Sequence, residues 1–156
     1  MDAAPLRELL YNRNRPQEQS QAAFSLVQSD SAEVVALVVF EMTRWDRPDV
    51  FQSLASAIKL RRDIRYLQPL LDALAAEQAA IRLAAIDALA ALPAKTVQEA
   101  LVKAASDKSL LPLSRQAAVE ALGRLATKSA VTSLIELLTC DSANLRQAPV
   151  LALQEI

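Results

Sequence analysis

The stretch "RLAAIDALAAL", Arg82 to Leu92, decides the fold, because it returns as "RQAAVEALGRL" at 115–125 and "RQAPVLALQEI" at 146–156. The leading arginines stand 33 and then 31 residues apart. Corresponding slots carry the same kind of side chain: Ile86, Val119 and Val150; Ala88, Ala121 and Ala152; Leu89, Leu122 and Leu153. Small and aliphatic residues at these spacings draw a broad apolar stripe along a helix, not the alternating face of a strand. A helical pattern that returns every thirty-odd residues predicts a solenoid, in which each unit buries its apolar face only against a neighbour.

Upstream of the arginines, "YLQPLLDAL" (66–74) and "AVTSLIELL" (130–138) align without a gap, 64 residues apart and so twice the period. Each unit is therefore a helix pair. Between the two helices comes an acidic residue, Asp46, Glu77, Asp107 or Asp141, placed where a carboxylate accepts the free N–H groups of the next helix and opposes its positive end.

The sequence of leucine-rich helix, acidic turn, arginine and then Ala-x-x-Ala-Leu resembles the HEAT family, and within it the bacterial HEAT-like repeats first associated with phycobilisome lyases. It is carried by "LIELLTCDSANLRQAPVLAL" (134–153), "LLDALAAEQAAIRLAAIDAL" (70–89) and, with a longer turn, "LVKAASDKSLLPLSRQAAVEAL" (101–122), and it covers 65–156. Upstream, "VVFEMTRWDRPDVFQSLASAI" (38–58) keeps the turn but has Phe51 in the arginine slot, and "LRELLYNRNRPQEQSQAAFSLV" (6–27) keeps only the apolar pattern. The expectation is one all-α domain over 1–156, a right-handed solenoid of about five antiparallel pairs. The units run roughly 1–28, 31–62, 65–92, 95–126 and 129–156, with the first divergent and cap-like.

Composition agrees and sets limits. A chain of 156 residues, 53% of them hydrophobic, buries a sizeable continuous core. The run "VVALVVF" at 34–40 is far too short for a membrane span and reads as the most buried helix of the array. Cys140, the single cysteine, forbids an internal disulfide and fits a reducing compartment; with no basic leader in "MDAAPLRELL", the expected location is the cytoplasm.

With no histidine, the commonest general base and metal ligand are missing. Gly123, the single glycine, builds no phosphate-cradling loop; inside a helix it costs about 1 kcal/mol against alanine, and close helix contact is the reason expected for it. One cysteine makes no thiolate zinc site. The 18 carboxylates are spread over helix surfaces and turns with no pair singled out. Neither a catalytic site nor a cofactor is expected. Seventeen basic against 18 acidic residues lack the excess that nucleic acid demands, and the one dense basic cluster, "KLRRDIR" (59–65), reads as a solvated turn between units.

In the HEAT pattern the turn acid and the helix arginine pair between adjacent units. The resemblance therefore implies a structural ladder of Asp46, Glu77, Asp107 and Asp141 with Arg82, Arg115 and Arg146. It also implies that the second helices line the concave side. With the repeated apolar slots turned inward, the residues facing out are Leu83, Asp87 and Ala91; Gln116, Glu120 and Arg124; Gln147, Leu151 and Glu155. Trp45, at a turn, suits an interface contact and a packed cap equally. Pro69 is tolerable in a first turn, whereas Pro149 removes a bond to Leu145 and should kink its helix or delay its start.

The function expected is a non-catalytic scaffold that grips a protein partner on its concave face. The resemblance supplies the alternative, a subunit of a phycobilin lyase or related phycobilisome-handling factor, whose partners would be a phycobiliprotein or a second HEAT-like subunit. The last unit carries no polar cap, which leaves its outer face for a second copy or for more of a longer array.

Overall fold

The computed structural model describes residues 3–125, 127–139 and 143–154. They form ten α-helices in five consecutive pairs: α1 (Ala4–Leu10) with α2 (Pro16–Gln28), α3 (Ala32–Met42) with α4 (Pro48–Arg61), α5 (Leu67–Asp72) with α6 (Ala79–Ala91), α7 (Ala94–Ser106) with α8 (Pro112–Leu125), and α9 (Lys128–Leu138) with α10 (Ala143–Gln154). Short 3₁₀ turns flank α5 at Ile64–Tyr66 and Ala73–Ala75. No strand occurs among the described residues. Proline opens α2, α4 and α8, where its fixed φ suits a helix start and its missing N–H costs nothing.

The second helices form the inner layer. α2 packs on α4, α4 on α6, α6 on α8 and α8 on α10, while the first helices touch one another only lightly. Burial follows the repeat: Ile86 and Val119 are at most 1% exposed, and Ala88, Ala121, Leu89 and Leu122 are equally buried. Val150 holds the same slot in α10 yet is 45% exposed, because no further described helix stacks on it. Each aliphatic side chain fully buried in this way contributes about 1.5–3 kcal/mol.

Several expectations are corrected. The apolar run of α3 is not the most buried segment: Val34, Val38 and Met42 are buried, but Phe40 is 54% exposed. α3 lies in the outer layer and covers only one stripe, whereas α4 and α8 are flanked on both sides and bury more of their surface. Pro149 does not delay α10, which runs through it. Pro69 is buried at the third position of α5, within the first turn, as a first-turn proline can be.

The basic cluster at 59–65 is exposed at the turn between units, as expected, apart from the buried Asp63, and its arginines also make contacts that hold helix ends. Arg61 and Arg65 both pair with Asp63 and Asp30, and both donate to the Val27 carbonyl at the end of α2. Arg62 takes left-handed backbone (φ 58°) to close α4 and donates from Nε to the Ala91 carbonyl at 2.8 Å. The C-terminal carbonyls of α2 and α6 carry unsatisfied partial negative charge, which these guanidiniums neutralise.

The first pair is joined to the second by polar groups. Glu41, 1% exposed, accepts from Arg7 Nε at 2.7 Å and from the Tyr11 hydroxyl, to which Arg44 also donates at 3.2 Å. The Arg47 guanidinium stacks 4.7 Å from the Tyr11 ring centroid and pairs with Asp49 at 2.7 Å. The Arg47 hydrogen bonds hold the Asp49 carboxyl well below the usual carboxylate range, with Gln19 adding a further donor. Burial, reinforced by Glu41, pushes the Tyr11 hydroxyl up.

Candidate partner-binding trough

Three adjoining cavities run along the inner layer. The first, about 640 Å³ between α2 and α4, is walled by Gln21, Phe24, Gln52 and Ser56 among others. The second, about 470 Å³ between α4 and α6, shares Gln52 and Ser56 with the first and adds Lys59, Leu83 and Asp87. The third, about 460 Å³ across α6, α8 and α10, shares Leu83 with the second and adds Leu113, Gln116, Glu120, Gln147 and Leu151. Adjacent cavities share wall residues, so the three lie in series and together form a trough.

Leu83, Gln116, Glu120, Gln147 and Leu151 therefore lie together, as the outward slots of three successive second helices must when those helices stack. Leu83 is 46% exposed and Leu151 62%. Asp87 and Glu120 are engaged: Arg124 bridges to Asp87 on the neighbouring helix and to Glu120 one turn back at 3.0 Å. This triad closes one edge of the leucine surface. Ala91 is half-buried at the end of α6, and Glu155 lies outside the described residues.

Trp45 stands apart from the trough. Its ring is half-buried against the core and its Nε1–H donates to the Met42 carbonyl at 3.1 Å, which makes it a packed cap over the turn.

The expected ladder takes a different form. Arg82 donates to the main-chain carbonyls of Ala76 and Glu77, each at 2.7 Å, and Arg115 donates from Nε to the Ala105 carbonyl at 2.9 Å. Among the described residues no carboxylate lies within ion-pair distance of either. The acceptors are local: Ala105 lies in the last turn of α7, where carbonyls lack helical partners, and Ala76 and Glu77 lie in the turn between α5 and α6. The acids do other work. Asp107 accepts from the main-chain N–H and hydroxyl of Ser109 at 2.9 and 2.6 Å, which lowers its pKa, and Asp46 pairs with Arg44 at 3.3 Å. None of the described turn acids caps the helix that follows. Arg146 is exposed, and Asp141 and Cys140 lie outside the described residues.

The sequence reading missed the N-terminal half of the trough and one wall of its C-terminal half. Phe51 in the arginine slot places Gln52 in the slot of Leu83, Gln116 and Gln147, a signal available once the units are aligned. Leu113, just after the longer turn, is 39% exposed and lines the third cavity with Leu83 and Leu151, while Leu110 and Leu111 in the turn are 39% and 63% exposed. Gly123 is explained by contact: a Cβ there would lie 2.7 Å from the Ala152 Cβ and 3.2 Å from its Cα, so α8 and α10 approach closely enough to need hydrogen at this site.

Helix pairs stacked in series, with a trough along the inner layer, define an α-solenoid. A family model described as HEAT repeats matches residues 67–154, and the chain belongs to that family. Among solved structures, a chain from the structure of the complex of CpcE and CpcF of phycocyanin lyase from Nostoc sp. PCC7120 is similar in fold. The match has a TM-score of 0.55 and 24% identity, and it covers 97% of this chain and 99% of that one. No curated protein matches the chain. Among the described residues no helix is long and apolar enough to cross a membrane, and no three His, Cys, Asp or Glu side chains are grouped to hold a metal ion.

Proposed function

We propose that the chain is a single HEAT-repeat module, cytoplasmic and non-catalytic, which binds a protein partner in the trough of its inner layer. The observation that supports this reading is the exposed leucine surface of Leu83, Leu113 and Leu151, set in a concave wall between polar edges. Scattered exposed leucines mean little, but aliphatic side chains gathered from three helices into one recess are costly to leave in water and gain by being covered. The test is affinity capture from source-cell lysate with wild type and a Leu83→Glu, Leu151→Glu double variant, whose folding is checked by circular dichroism. A partner held by wild type and lost by the variant is the expected result. Capture of the same partner by both overturns the assignment to this surface.

A second reading, a subunit of a bilin lyase acting with another HEAT-like chain, is favoured by the fold likeness, which runs end to end along both chains. It predicts that co-expression with a second such subunit and a phycobiliprotein changes the visible absorbance of the bound bilin. An unchanged spectrum sets this reading aside.

A further inference from the structure

The trough carries a chemical pattern that the leucine surface alone does not explain. Gln52, Leu83, Gln116 and Gln147 occupy one slot, directly after the arginine slot, on α4, α6, α8 and α10. All four line the trough, and the side-chain amides of the three glutamines make no hydrogen bond to any described residue. Each amide offers a donor and an acceptor, which matches the N–H and C=O of one residue of main chain. Packed helices stand about 8–10 Å apart and an extended chain advances about 3.3 Å per residue, so one step between helices equals roughly three residues. The row is therefore in register with an extended polypeptide laid across the helices.

We propose that the trough recognises an extended, largely uncharged segment of a partner polypeptide, about ten residues long. Its main chain is held by Gln52, Gln116 and Gln147, and an aliphatic side chain is seated among Leu83, Leu113 and Leu151. This rests on the reading of the trough as a protein-binding surface and adds the kind of segment it takes. A helical ligand suits the trough less well, because a helix spends its main-chain groups internally and needs an apolar stripe along its whole length. Here the apolar side chains line separate cavities, Phe24 and Leu60 in the first and Leu83, Leu113 and Leu151 in the third, with Gln52, Ser53 and Ser56 also in the wall of the first. Asp49, Asp87 and Glu120 are paired with arginines and Arg82 with main-chain carbonyls, which leaves Lys59 as the one lining charge without a partner among the described residues, so the lining offers little to select a highly charged segment.

The experiment uses a random dodecapeptide phage library panned against the full chain, followed by synthesis of the enriched peptides and fluorescence anisotropy. Enriched peptides should share an aliphatic position and few charges. N-methylation of every third main-chain amide should weaken them roughly tenfold or more, since it removes donors while leaving every side chain. Gln52→Ala, Gln116→Ala and Gln147→Ala combined, all surface changes checked by circular dichroism, should weaken binding comparably. Failure to enrich any ligand overturns the proposal. So do ligands that are helical and insensitive to N-methylation. Binding lost in the Leu83→Glu, Leu151→Glu variant but unchanged by the three alanines overturns main-chain recognition while leaving the partner-binding reading standing.

Discussion

Gly123 on α8 and Ala152 on α10 meet so closely that one added methyl group at residue 123 would stand 2.7 Å from the Ala152 side chain. Small residues at both places set the distance between two inner-layer helices, and that distance sets the width of the trough floor. A repeat slot that elsewhere tolerates larger residues is here held to hydrogen by its neighbour.

Gly123→Ala should therefore destabilise the protein, although alanine is the better helix former by about 1 kcal/mol. Overpacking of this kind costs about 1–3 kcal/mol, and the rigid Ala152 cannot swing away. Thermal unfolding should show a lower Tm for Gly123→Ala and partial recovery when Ala152→Gly is added. A single variant as stable as wild type would show that α10 moves freely relative to α8.

Arg115→Ala should lower thermal stability more than Gln116→Ala, its neighbour on the same helix. Arg115 ties the end of α7 to α8 through the Ala105 carbonyl, and a charge-assisted bond of this type contributes about 1.5–3 kcal/mol. Gln116 makes no such contact. Equal Tm values would remove the arginine slot's structural role.

At the junction of the first two pairs, the two partners of one ion pair should be unequal in effect. Arg7→Met leaves the buried Glu41 carboxylate with the Tyr11 hydroxyl but without its cation, whereas Glu41→Met leaves Arg7, whose side chain is 45% exposed, free to turn to water. Urea unfolding should show Arg7→Met to be the more damaging by about 1–2 kcal/mol, because an unpaired buried charge costs more than the loss of the pair.

Acid should weaken the clamp between α2 and α4. Hydrogen bonds from Arg65 hold the Asp63 carboxyl below its ordinary value, and Arg47 does the same for Asp49. A depressed folded pKa means that the contribution is complete above the unfolded value near 3.8 and is lost as pH falls through the folded one. Stability measured by chemical denaturation should thus drop as pH falls below about 4. Asp63→Asn should flatten that part of the curve; an unaltered profile in the variant would assign the acid sensitivity elsewhere.

Much of the fold was legible because a solenoid repeats one local problem. Ile86 and Val119 announce their burial by spacing alone, and the short turns leave consecutive helices no arrangement but antiparallel. Leu83 and Leu151 of the third cavity were legible for the same reason, as slots left over once the apolar stripe is turned inward, whereas Leu113 was not. The partners of the charged groups were not. Arg82 and Asp107 look complementary in sequence, yet a guanidinium takes the nearest unsatisfied acceptor, and that was a main-chain carbonyl whose position only the folded turn defines.

Sequence alone specified that this protein is an array of helix pairs and which stripe of α6 and α8 is buried, because periodicity and apolar burial act within a few residues along the chain. Tertiary structure alone decided that α3 exposes Phe40, that the basic cluster at 59–65 binds helix ends, and that three separate cavities share walls. Those outcomes depend on distances between helices that are remote in sequence. Such distances are settled by packing contacts such as that between Gly123 and Ala152.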